Sequence, residues 1–288
     1  MHGNTRESAD RFGLGWRDEL AAGILRNVDR IDLVEVIADD YFAAPRAARR
    51  ALETLRAQVP ITLHGVGLGL ASAAPVERRR LDRMAALVDR VEPVSWSEHL
   101  AFVRAGGVEV GHLAAPPRTD ATVEGAHRNL ALARRVVGTD PLCENIATLI
   151  EPPASQYGEA DWIAKVLSAS GCDLLLDLHN LHANAANFGD SPAAFLAAIE
   201  PERIAAIHIA GGRRVRGDRV LDDHLHPVPD PVFELLTEVA ARAPRPLTVI
   251  LERDGHYPPI EELLDELERA RRAVERGRLR ARRAEWRP

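Results

Sequence analysis

Short apolar runs alternate with longer stretches whose apolar positions recur at helical spacing, and the alternation continues along the chain. The runs FGLGW (12–16), IDLVEVI (31–37), ITLHG (61–65), VSWSEHL (94–100), PLCEN (141–145), CDLLLDL (172–178), IAAIHIAG (204–211) and LTVILERD (247–254) predict strands. Helices are predicted near 17–27, 45–58, 76–91, 120–137, 159–169, 192–200 and 230–242, and a long charged helix from about 259 closes the chain. The strands are almost continuously apolar, as in a parallel sheet covered on both faces. Eight strand–helix units in a chain of 288 residues predict a single α/β domain, a closed (β/α)8 TIM barrel over residues 1–288. An open doubly wound sheet is the alternative, but no GxGxxG turn follows the first strand in the required context. VRAGGVEVGHL predicts a hairpin turning at Gly106-Gly107. GVGLGL after His64 lacks the Lys-Ser/Thr ending of a phosphate-binding loop.

Composition narrows the class. Hydrophobic residues make up 46% of the chain, enough for a sizeable core. No apolar stretch approaches the roughly 18 residues of a membrane span. The opening MHGNTRESADRFG has no basic-then-apolar signal pattern, so a cytoplasmic protein with no membrane partner is expected. A net charge of −6 argues against a nucleic-acid partner. Cys143 and Cys172 cannot build a disulfide framework and are expected as buried thiols. Lys165 is the only lysine and falls in mid-helix, a poor place for Schiff-base chemistry. The ending ARRAVERGRLRARRAEWRP predicts a solvated helix end and a frayed tail.

In such a barrel the reactive groups gather where strands end at the C-terminal face. The third strand ends at His64, the fourth in Glu98-His99, the fifth in Glu144-Asn145 and the sixth in Asp177, with His179, Asn180 and His182 beyond. The seventh carries His208, the polar loop after it holds Asp222, Asp223, His224 and His226, and the eighth ends at Glu252 and Asp254. One strand-end histidine is ordinary packing. Carboxylates and imidazoles from six successive strands are not, because each buried carboxylate would lose its hydration uncompensated. Bound cations remove that penalty, and imidazole–carboxylate donors without thiolate suit iron, manganese or zinc. The donors exceed the about four to six that one ion takes, so two or three ions with bridging carboxylates are expected.

Spacing sorts some of these residues. Asp222 and His224, two apart in an extended loop, should face one side. Glu98 and His99 are adjacent and should point differently, which favours His99 as a ligand and Glu98 as the partner orienting an imidazole. His226 and His256 are candidates for acid–base work at the mouth, His179 and His182 for outer support, and His112 for substrate contact. Of these, His226 and His179 are the candidate catalytic residues. If the strand pleat runs briefly through Leu178 and then turns, His179 points away from Asp177 and Asn180 swings back through its amide oxygen.

The pieces LHGVGLGL, SEHLAF, LCEN, LLLDLHNLHANAANFG, IHIAGG, DDHLHPVPD and LERD lie between GLGW at 13–16 and LERDGHYPP at 251–259. Together they resemble the multinuclear non-haem iron-dependent oxidative enzymes, a family that includes the oxidase of methanobactin biosynthesis. The resemblance implies a xylose-isomerase-like barrel holding two or three irons in mixed Fe(II)/Fe(III) states, with O2 as co-substrate. It implies that His64, His99, Glu144, Asp177, Asn180, His208, Asp222, His224 and Glu252 occupy the metal positions. It also implies a ribosomally made precursor peptide as substrate, often modified at cysteine, and a separate partner protein that recognises the leader. Two departures bear on the reaction more than on the metal site. The chain reads DLHN where members usually read DxNN, placing His179 at the first Asn, and Leu225 stands where an acid commonly follows Asp-x-His.

Two other activities use a similar barrel. A trinuclear-zinc phosphodiesterase or endonuclease has a similar ligand order, but the resemblance would call for histidine at Asn180, and no basic, aromatic-bearing groove is evident. A mononuclear sugar isomerase needs fewer ligands and typically a catalytic lysine, which Lys165 is badly placed to supply.

Overall fold

The computed structural model describes residues 9–285. Eight parallel strands close into a barrel: β1 (Arg11–Gly15), β2 (Leu33–Ile37), β3 (Ile61–Gly65), β4 (Trp96–His99), β7 (Leu142–Glu144), β8 (Leu174–Asp177), β9 (Ile204–Ile209) and β12 (Thr248–Leu251). Two antiparallel hairpins interrupt the alternation, β5 (Phe102–Ala105) with β6 (Val108–Ala114) and β10 (Arg213–Val215) with β11 (Arg219–Leu221). The helices are α1 (Ala21–Arg26), α2 (Arg46–Arg56), α3 (Arg78–Val91), α4 (Asp120–Val137), α5 (Glu159–Ser170), α6 (Leu178–Phe188), α7 (Pro192–Ala198), α8 (Asp230–Arg242) and α9 (Ile260–Glu285). This is the expected (β/α)8 barrel.

The two-residue period of each strand divides its side chains between two environments. Outward residues such as Leu14, Val34, Leu63, Trp96, Leu176 and Ile207 join the helices in the main apolar core. The intervening residues face the barrel axis. At β1 the axial position is Gly13, where a Cβ would lie 2.6 Å from the Leu33 carbonyl oxygen and 2.9 Å from Leu33 Cγ. A side chain there would displace Leu33 from the barrel interior.

Three local expectations are corrected. The stretch after Asp177 is neither pleat nor loop but the first turn of α6, because the Asp177 carboxylate caps the helix by accepting the Asn180 N–H at 2.7 Å. The polar loop after β9 contains the β10–β11 hairpin. The arginine-rich end is not frayed through residue 285: α9 buries Leu263, Leu264, Leu267, Ala270, Ala273 and Val274. Arg278 holds it down by donating to the Asp10 carboxylate and to the carbonyls of Ala240, Ala243 and Arg245. Gly277 lets α9 approach α8, since a Cβ there would meet the Thr237 carbonyl oxygen at 2.4 Å. Residues 286–288 of the expected tail lie outside the described residues. Among the described residues no helix is long and apolar enough to cross a membrane. Cys143 and Cys172 are buried and free, as expected.

Candidate metal centre

Strand register assembles the site. Asp177 on β8 stands beside His208 on β9, and His99 on β4 beside Glu144 on β7. His64 is the penultimate residue of β3 and Glu252 follows β12. Two donor groups result, His64 with His99 and Glu144, and Glu144 with Asp177, His208 and Glu252; within each group one donor atom per residue lies within 4.8 Å of all the others. Glu144 belongs to both. Its Oε2 lies 3.4 Å from His64 Nε2 and 3.4 Å from His99 Nε2, and its Oε1 3.0 Å from His208 Nδ1. Asp222 and His224 flank the second group, with His224 Nε2 2.9 Å from Asp222 Oδ1 and His224 Nδ1 3.7 Å from Glu252 Oε2. His224 has a left-handed backbone (φ 53°), so the loop is not extended at that residue as expected.

Each of the four imidazoles has one ring nitrogen tied to an outer partner. His64 Nδ1 meets Ser97 Oγ at 2.8 Å, His99 Nδ1 the Gly65 carbonyl at 3.2 Å, and His224 Nδ1 the Asp254 carboxylate at 3.1 Å. His208 Nε2 meets the Glu35 carboxylate at 3.1 Å. The second nitrogen of each ring faces the carboxylate cluster. Glu98 stands beside the His99 ring and also holds main chain. Its Oε1 accepts the His99 backbone N–H at 2.9 Å and its Oε2 the Leu68 N–H at 3.0 Å, while the ring nitrogen is 3.5 Å away. Glu98 therefore braces main chain beside the ring, and the Gly65 carbonyl and Glu98 together face His99 Nδ1.

Several cluster atoms are buried without hydrogen-bond partners: Glu144 Oε2, Asp177 Oδ2, Asn180 Oδ1 and His224 Nε2. Two donors bound at right angles to one ion, each about 2.1 Å from it, stand about 3 Å apart. The His224–Asp222 contact has that spacing without hydrogen-bond geometry. The donor set therefore fits metal ions, with Glu144 placed to be shared.

The electrostatics point the same way. Burial disfavours charge on His99, but Glu144 and Glu98 outweigh it and raise its pKa to about 9. Burial opposes charge on His208 and His224 too, yet Glu252 and the other carboxylates lift both well above the usual imidazole range. Glu144 and Glu252 lie below the usual carboxylate range despite burial, held down by these imidazoles. Asp177 is pushed far up by burial and by its acidic neighbours Asp222 and Glu144. The carboxylates draw positive charge into the barrel, as protons when no cation is present.

Helix α6 serves the site along its length. Asn180 donates to the Asn145 carbonyl at 3.0 Å and leaves its buried Oδ1 unpartnered beside Asp177. His179 turns to Asp222, with Nδ1 2.7 Å from Oδ1. Asn184 takes the Thr148 N–H at 2.9 Å, and Asn187 takes the Val220 N–H at 2.7 Å while donating to the carbonyls of Thr148 and Val220. The sequence pattern did not single out Glu35, Arg17, Asn184 or Asn187, and it marked Asn145 only as a strand-end neighbour of Glu144. Glu35 alone carried a signal, a carboxylate in mid-strand within the apolar run IDLVEVI.

The sequence family described as “RiPP precursor modification enzyme MbnB/TglH/ChrH” matches residues 11–275. The chain belongs to that family. It is 38% identical over 280 residues to a UPF0276 protein of Streptomyces avermitilis, covering 93% of this chain and 56% of that protein. It is 33% identical over 275 residues to a UPF0276 protein of Caulobacter vibrioides, covering 95% and 98%. The chain thus spans about half of the Streptomyces relative's length and nearly all of the Caulobacter one. Among solved structures the barrel is similar to a xylose isomerase domain protein from Alicyclobacillus acidocaldarius, with a TM-score of 0.59 and 15% identity over 93% of this chain and 99% of that one. It is also similar to D-psicose 3-epimerase from Clostridium cellulolyticum H10, with a TM-score of 0.56 and 13% identity over 94% and 99%. Those likenesses show the xylose-isomerase-like fold.

In this member of the family the cluster floors a cavity of about 610 Å³. Ile146, Leu149, Ile150, Leu113, Val220 and Leu221 give it an apolar wall, and His112 on β6 also lines it. Arg17 lines the floor, bound to Asp254 and 4.0 Å from Glu252. His226 does not itself line the cavity but stands 3.8 Å from Asp223, which does, and next to His256. Lys165 is remote from the floor, with Nζ 4.6 Å over the Tyr157 ring.

Proposed function

We propose that this chain is a multinuclear iron-dependent oxidase that uses O2 to modify a residue, cysteine first among the candidates, of a ribosomally synthesised precursor peptide. The support that weighs most is Glu144, shared by two buried donor groups beneath an open cavity, in a chain of a precursor-modifying enzyme family. His64, His99, Glu144, Asp177, Asn180, His208, Asp222, His224 and Glu252 would hold two or three irons. When bound, the irons supply O2 activation and a docking point for a substrate thiolate. The protein's part is placement and shielding. The apolar wall receives a peptide side chain and limits water at the floor, and the outer partners of the imidazoles keep the donors aimed. Arg17 offsets the charge of Glu252 and Asp254, so a neutral or anionic substrate group can approach. A separate leader-binding protein would deliver the peptide.

The test is anaerobic purification or Fe(II) reconstitution, with elemental analysis and O2 uptake on adding the precursor peptide encoded beside the gene. At least two irons per chain and peptide-dependent O2 consumption are expected. Zinc alone, with no iron-dependent activity after reconstitution, would favour the hydrolase reading.

A further inference from the structure

We infer that Glu35 is a positioning residue of the metal centre, fixing His208 so that its Nδ1, not its Nε2, is the ligand atom. The inference rests on the metal-centre reading above and adds a residue to it. Glu35 sits on β2, three strands round the barrel from β9, so its contact with His208 crosses the barrel interior. Glu35 is 1% exposed and His208 fully buried. His208 Nε2 lies 3.0 Å from Glu35 Oε1 and 3.1 Å from Oε2. Thr62 Oγ1 donates to Oε2 at 3.3 Å, which keeps this carboxylate an acceptor.

The opposite edge of the ring faces the cluster. His208 Nδ1 is 2.9 Å from Glu252 Oε2 and 3.0 Å from Glu144 Oε1. A neutral imidazole carries one N–H and one lone pair. Carboxylates face both nitrogens, so the ion decides: a cation held by Glu144, Asp177 and Glu252 would take the lone pair of Nδ1, and Glu35 would accept the hydrogen left on Nε2. Were the hydrogen on Nδ1, the lone pair of Nε2 would face a buried carboxylate and the cluster would lose a donor. The carboxylate also raises the basicity of the ring it holds. His64 and His99 have the reverse arrangement, with Nδ1 anchored by Ser97 and Gly65 and Nε2 directed inward. Only His208 among these three is anchored by an acid, and only there does the anchor come from a distant strand.

The test uses the whole chain, stripped of metal and titrated with Zn(II), which permits NMR. In the loaded wild type, long-range 1H–15N spectra should show His208 as the Nε2–H tautomer with a metal-shifted Nδ1, the signal assigned by its loss in His208→Gln. Glu35→Ala should weaken the tightest Zn(II) site about 10–100-fold. Glu35→Gln keeps an oxygen acceptor and should restore most of that affinity, which a purely volumetric role for residue 35 would also allow; the tautomer signal separates the two, being kept in Glu35→Gln and lost in Glu35→Ala. Circular dichroism checks that each variant folds. An Nδ1–H tautomer in the wild type, or Glu35→Ala binding as tightly as wild type, overturns this inference alone. A wild type that takes up neither Zn(II) nor Fe(II) overturns the metal-centre reading with it.

Discussion

Proton competition at His99 gives a quantitative prediction. Its ring is held at a pKa of about 9 by Glu144 and Glu98 against the cost of burial. At pH 7 the metal-free protein therefore carries the neutral ring about one part in a hundred. An ion must bind that neutral form, so binding through the His64–His99–Glu144 group should strengthen about tenfold per pH unit from 7 to about 9 and then level off. The linked stability runs the other way. A raised imidazole pKa adds stability to the metal-free fold that is complete below the unfolded value near 6.5 and lost as pH rises through about 9, on the order of 3 kcal/mol in total. His208 and His224 are raised as well, so tenfold is the least slope expected. Competition titrations against a chromophoric chelator at pH 7, 8 and 9 would measure the slope. Calorimetry in two buffers of different ionisation enthalpy would count the protons released. Glu98→Gln removes one of the carboxylates that lift His99 and should move the whole window to lower pH. Affinity independent of pH, with no proton release, would refute the reasoning.

Other outcomes follow from the same contacts. His208→Ala and Glu252→Ala should each lower the bound metal by at least one ion per chain, because their donors come from rigid strand positions; wild-type loading in both would mean the site is misplaced. An ion bound at Asn180 would have a neutral amide as one donor and should be the first removed by graded chelation, so simultaneous loss of all ions would contradict the proposed assignment. Asn187→Ala cuts the tie between the Thr148 loop and the β10–β11 hairpin and should cost about 2 kcal/mol in urea unfolding, since it leaves the Val220 N–H and two carbonyls unpaired; an unchanged midpoint would show that water replaces the side chain at no cost.

The residue pattern alone determined the barrel and the set of chemical groups at its mouth. Strand and helix periods are local properties, and eight apolar runs separated by amphipathic stretches leave few ways to bury both faces of a sheet. The polar residues that end those runs, from His64 to Glu252, stand out because they interrupt an apolar pattern. Helix α6 was hidden for a different reason: its stripe of Leu178 and Leu181 is crowded by His179, Asn180, Asn184 and Asn187, and its first capping group is Asp177, a residue already read as a strand end. Glu35 also interrupts an apolar run, but in mid-strand and not at the strand end where reactive groups are expected. The tertiary structure decided what depends on approach between distant strands: that Glu144 is common to two donor groups, that the Gly65 carbonyl joins Glu98 at the His99 ring, that His179 meets Asp222, and that Glu35 crosses the barrel to His208. A sequence specifies which donors are present. Which atom of each ring turns inward is set by hydrogen-bond partners up to 173 residues away in the chain, brought within reach only when the barrel closes.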